Sequence, residues 1–128
     1  MRSIISSALI CVAVTAAVPF VAHASAKEDN ATLYMDAIAL PKKARVCAAK
    51  QSDFAAKFEP AFAKWRSANK TKLASGERAV RATAKARNME FASNVEAETD
   101  IAAEMFERAP AAQLQERCAD LLAQVLTK

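Results

Sequence analysis

The chain has 128 residues, of which 32 are alanine, four proline and one glycine, and its formal net charge is +4. That length allows one small domain. So few glycines and prolines cannot supply the turns that a β-sandwich or barrel needs about every ten residues, and one glycine cannot build a phosphate-cradling loop.

The chain opens with Arg2, an uncharged run from Ile4 to Val18, then Pro19 and the small-residue patterns Ala22-His23-Ala24 and Ala24-Ser25-Ala26. That is the layout of a secretory signal peptide, and the apolar run is shorter than the roughly 20 residues that span a bilayer. The expectation is a signal peptide over 1–24, cleaved after Ala24 or Ala26, and a periplasmic or secreted domain over 25–128. Cys11 and His23, the only histidine, leave with the signal. Cys47 and Cys118 remain in an oxidising compartment, and two cysteines allow one pairing.

The helical signals follow in order. Asp29 or Asn30 caps a helix carrying Leu33, Tyr34, Ala37 and Ile38. Pro41 is expected to interrupt it and to open a second helix, Lys42 to Lys50, with Val46 and Cys47. Ser52-Asp53 caps a third, where Phe54, Phe58, Phe62 and Trp65 recur at helical spacing and lead on to Leu73. Pro60 should kink or break that helix near Glu59, and Asn69 stands one turn after Trp65, placed to accept from its indole N–H. Ser75-Gly76 reads as a turn with glycine in the left-handed conformation.

A long helix is then expected from Glu77 to about Arg108, with Val80, Ala84, Phe91, Val95, Ala102 and Phe106 near one stripe. Ser93-Asn94-Val95-Glu96 reads as a capping box and marks where it would break. Pro110 opens the last helix, with Leu114, Cys118, Leu121 and Val125 at i, i+4, i+7 and i+11. The fold class expected is therefore all-α: a small antiparallel bundle of four to five helices, with a hairpin about Gly76 and a Cys47–Cys118 disulfide fastening the N-terminal helices to the last.

Several chemistries are excluded. Without a mature histidine there is no Ser-His-Asp triad and no histidine-bearing zinc or haem site. There is no Cys-x-x-Cys, and the Glu-x-x-His pairs of di-iron bundles are absent. The carboxylate pairs Glu96/Asp100 and Asp100/Glu104 read as a solvated face, and Met35, Met89 and Met105 as core packing. No enzyme, metal or cofactor is expected.

What the sequence does contain is a charge separation. Lys64, Arg66, Lys70, Lys72, Arg78, Arg81, Lys85 and Arg87 face only Glu77 in their own stretch, whereas Glu90 to Asp120 holds eight acidic residues against Arg108 and Arg117. Cations early and carboxylates late in one helix oppose its dipole, so helix stability does not account for the pattern. The eight basic residues are the candidate binding surface. The expected function is an exported, non-catalytic protein that binds an acidic envelope protein, as an inhibitor, immunity factor or chaperone does. The alternative is a basic hairpin tip that binds anionic lipid or lipopolysaccharide. Nucleic acid is not expected, since few aromatics are present to stack bases.

Overall fold

The computed structural model describes residues 22–127, with side chains from Asp29 onward. The described residues form five helices: α1 (Ala22–Lys50), α2 (Phe54–Ala68), α3 (Lys70–Ala86), α4 (Phe91–Glu107) and α5 (Ala111–Leu126). No strand occurs among the described residues. Of the expected signal peptide, residues 1–21 lie outside the described residues.

α1 is the spine, about 43 Å long at 1.5 Å per residue, and every other helix packs on it. Lys42 meets Asp100 and Cys47 meets Cys118, while Tyr34 stacks on Phe91. Contacts therefore climb α4 together with α1, and the two run parallel. α2 and α3 form one limb running back along α1, jointed at Asn69, and α5 also runs back. The result is an up-down-up-down bundle whose second limb is split.

The core lies around the C-terminal half of α1. Leu40, Ala44 and Cys47 of α1, Phe54, Phe58 and Trp65 of α2, Phe106 of α4, and Leu114, Cys118, Leu121 and Val125 of α5 are all buried in one cluster. On α2 the rings of Phe54, Phe58, Phe62 and Trp65 stack in succession, with centroids 5.2–5.8 Å apart. The Cys47–Cys118 disulfide forms at the centre of this cluster, with Cα atoms 5.7 Å apart and both residues almost fully enclosed. Both the bundle and the bridge agree with the sequence reading.

Pro41 stays inside α1 and Pro60 inside α2, so the interruption expected at Pro41 and the break expected at Pro60 do not occur. Each removes one backbone bond, to the carbonyl of the residue four earlier. Pro60 and Ala56 are both exposed, so the freed carbonyl sits on the solvent side. Pro41 and Ala37 line an open groove. Packing along the rest of each helix outweighs one lost bond.

Gly76 is not a turn. It is buried inside α3, without a positive φ. A Cβ on it would strike the Asn30 carbonyl oxygen and come 2.8 Å from the Tyr34 Cβ. Glycine is there so that α1 and α3 can cross in close contact, and the hairpin expected at that point does not form.

The chain reverses instead at Arg87–Glu90, where Asn88 has a φ of 53°. The expected helix of 77–108 is thus two helices, and the break comes three residues before the proposed capping box. Glu90 is the cap: its carboxylate accepts from the Ala92 and Ser93 amides, at 3.1 and 2.6 Å, and from the Ser93 hydroxyl. The break eases the conflict with the helix dipole only at the turn itself, because Lys70 and Lys72 still open α3 and Glu104 and Glu107 still close α4. Lys85 now ends α3 and Glu90 begins α4, each at the favourable terminus.

Asp53 makes no side-chain cap and pairs with Lys57 one turn on. Asn69 donates to the Trp65 carbonyl at 2.9 Å rather than accepting from the indole.

The bonds from Ser93, chiefly its hydroxyl, hold the Glu90 carboxyl below the ordinary glutamate range. Its stabilising effect is therefore present above the unfolded-state value and is lost as pH falls through the lower folded value. Glu90→Ala is expected to melt earlier than wild type at neutral pH, with the gap closing in acid. Thermal melts across pH check this, and a gap that persists undiminished below the carboxylate range would assign the effect to something other than the charged cap.

Candidate binding surface

The eight basic residues of 64–87 spread along the α2–α3 limb instead of gathering at one end. Lys70, Arg78, Arg81 and Lys85 fall at i, i+8, i+11 and i+15 on α3, and all are exposed. They form a stripe about 22 Å long. Lys64 and Arg66 are exposed on α2, Lys72 lies off the stripe near the start of α3, and Arg87 caps its end.

Arg81 differs from the other seven. Its guanidinium donates to the Glu77 carboxylate at 2.7 and 2.9 Å and stacks over the Phe91 ring at 3.8 Å. Phe91 in turn stacks on Tyr34 of α1. Burial, and then the Glu77 charge, raise the Tyr34 hydroxyl above its ordinary pKa, while Arg81 pulls it back. The group ties α1, α3 and α4 together, so Arg81 is a structural residue. Lys70, Lys72, Arg78 and Lys85 have no ion-pair partner among the described residues.

The acidic stretch is used in part inside the fold. Lys42 of α1 donates to Asp100 at 2.6 Å and to the Thr99 hydroxyl at 2.9 Å, and lies 3.1 Å from Glu96. Only 17% of its side chain is exposed. Three acceptors match the three protons of an ammonium group. Chiefly the hydrogen bond to Asp100 holds Lys42 above the ordinary lysine range, so it stays charged and acts as a clip between α1 and α4. The Glu96/Asp100 pair expected on a solvated face is this clip. Nothing in Lys42 itself announced it; its distance along the chain from Asp100 hides the pairing.

Two further features escaped the sequence reading. One is a groove bounded by α1, α2 and α3, made of two adjacent cavities of about 430 and 580 Å³ that share Pro41 and Arg66 in their walls. The other is an outward apolar pair on α4, Ile101 and Met105, which are 57% and 66% exposed. Met89 is exposed too and Met35 is only half-buried, so none of the three methionines expected in the core belongs to the buried cluster. The available signal was register: Ile101 and Met105 lie off the Val95–Ala102–Phe106 stripe.

Among the described residues no group of three His, Cys, Asp or Glu side chains is placed to hold a metal ion. Nor is any described helix long and apolar enough to cross a membrane. No family model matches the chain, and neither a curated protein nor a solved structure matches it.

Proposed function

We propose that this chain is an exported, non-catalytic binding protein that holds an acidic envelope protein along the outer face of α3, as an inhibitor, immunity factor or chaperone does. The observation that supports this reading is the set of exposed, unpaired cations Lys70, Lys72, Arg78 and Lys85 on one helix. Some other charged groups of the fold are matched, Glu77 with Arg81, Glu96 and Asp100 with Lys42, and Glu104 with Arg108, whereas these four cations stand without a carboxylate on the same helix to neutralise them. Crowded like charges destabilise a compact chain slightly and attract an oppositely charged partner. The line of Lys70, Arg78 and Lys85 suits an extended acidic segment, which it would draw in by speeding association, while Lys72 lies off that line. Around the cations the exposed residues of α3 are Thr71, Ala74, Ala82, Thr83 and Ala86. None is a bulky apolar residue that could insert into a bilayer, which favours a protein partner over lipid.

The triple variant Lys72→Gln, Arg78→Gln, Lys85→Gln separates binding from folding. Its melting temperature should match wild type or rise slightly, because exposed unpaired charges contribute little stability. Immobilised wild-type protein should capture an acidic protein from periplasmic extract at low salt and release it at high salt, and the triple variant should not. Equal capture by the variant, or salt-sensitive pelleting with anionic vesicles in place of protein capture, would refute the reading.

A further inference from the structure

The groove and the exposed pair on α4 complement one another. The groove follows α1 from Tyr34 to Ala48, a length of about 21 Å. Its floor is rich in alanine, with Ile38 and Phe62 half-buried upon it, and Arg45, Arg66 and Lys70 stand on its rim beside Glu59 and the Arg81-paired Glu77, which leaves the rim net basic. On α4 the exposed apolar stripe Ala97, Ile101 and Met105 is about 12 Å long, and Arg108 caps the helix beyond it. Exposed Glu98 and Glu104 flank it. One surface is a basic-edged apolar furrow, and the other is an acid-edged apolar ridge.

The geometry points to head-to-tail self-association, with α4 of one copy seated in the α1–α2–α3 groove of a second copy. Register supports the match. Glu98 and Arg108 are about 15 Å apart along α4, and Lys70 and Glu59 about 16 Å apart along the α2–α3 limb. Arg108 laid over Glu59 therefore brings Glu98 over Lys70 and Glu104 toward Arg45 and Arg66. The small floor residues allow the close approach of two helices.

An acyl chain fits less well, because the groove is open along its length and would leave the chain half in water. Antiparallel pairing of two α4 helices also fits less well. It would set Ile101 against Met105 but bring the two Glu104 carboxylates side by side. The contact uses different surfaces on the two copies, so it extends into chains rather than closing as a dimer. One helix in one groove is a small interface, so association is weak. It shares only Lys70 with the α3 stripe: Lys72, Arg78 and Lys85 lie outside the groove.

Sedimentation velocity of the exported protein, from low to high micromolar concentration, tests this. The average mass should rise with concentration and fall with added salt. Two charge-reversed variants, Arg45→Glu with Arg66→Glu and Lys70→Glu, and Glu98→Lys with Glu104→Lys, should each associate at least about tenfold more weakly. Mixed together they should associate again, since each groove then meets an α4 of opposite sign. Ile101→Lys with Met105→Lys should remain monomeric at an unchanged melting temperature. The Lys72/Arg78/Lys85 glutamine variant should self-associate like wild type, which keeps this result separate from loss of the acidic partner. A wild-type monomer at every concentration would overturn the proposal. So would wild-type association of the Arg45/Arg66/Lys70 variant, which would indicate α4–α4 pairing, or a mixture that stays monomeric.

Discussion

Breaking the Cys47–Cys118 bond is expected to lower the stability of the fold by about 4 kcal/mol, a fall in melting temperature of roughly 15–30 °C for a domain of this size. The two cysteines are 71 positions apart, so the bond removes much of the freedom of the unfolded chain. Position adds to the effect. The bridge joins the last turns of α1 to the middle of α5, and α5 otherwise rests on α2 and α1 through Leu114, Leu121 and Val125. After reduction α5 should be the first helix to lose amide-exchange protection, with α1 and α3 following later. A Cys47→Ala, Cys118→Ala variant should behave like the reduced protein, with an added loss from the two vacated positions in the core. Alkylation without reductant that labels two thiols per chain would show that the bond does not form. An unchanged melting temperature on reduction would show that it forms but constrains nothing.

The faces of α2 and α5 were legible because each is a single helix with one buried stripe. Phe54, Phe58 and Trp65, and Leu114, Cys118, Leu121 and Val125, are buried as their spacing requires. The helix boundaries were not. Pro41 and Pro60 carry the strongest local stop signals, yet a helix buried on several sides retains its form when one bond is lost on its open side. The true reversal, Arg87–Glu90, contains neither glycine nor proline. Its signals were weaker: Asn88, which tolerates a positive φ, and a carboxylate three residues before Ser93. The capping box was read in the wrong direction, with Ser93 as the cap when it is the donor to Glu90. Moving the turn from Gly76 to Asn88 also changed the candidate surface from a tip to a stripe. The groove and the Lys42 clip need residues far apart in sequence, so no local pattern could show them.

Gly76 decides how the N-terminal half of the bundle is held. The buried cluster belongs to the other half, and of α3 only Leu73 packs against it. What holds α1 to α3 beyond that point is close contact, at Gly76 and Ala84, together with the Arg81–Phe91–Tyr34 stack. At an ordinary helix position Gly→Ala is stabilising, by about 1 kcal/mol of helix propensity. Here the added methyl group meets the Asn30 carbonyl, a backbone group that cannot rotate away, so α1 and α3 must move apart. The overpacking cost of about 1–3 kcal/mol, larger when backbone has to move, exceeds the propensity gain. Gly76→Ala is therefore expected to melt lower than wild type, by something on the order of 5–10 °C, and Gly76→Leu to fail to fold. Separation of the helices should also pull Arg81 off Phe91, so Arg81→Gln should cost less in the Gly76→Ala background than in wild type. Ala82→Gly, at an exposed position on the same helix, serves as the control and should lose only its propensity. If Gly76→Ala melts higher than wild type, α1 and α3 do not cross at van der Waals contact and the glycine is merely a weak helix residue.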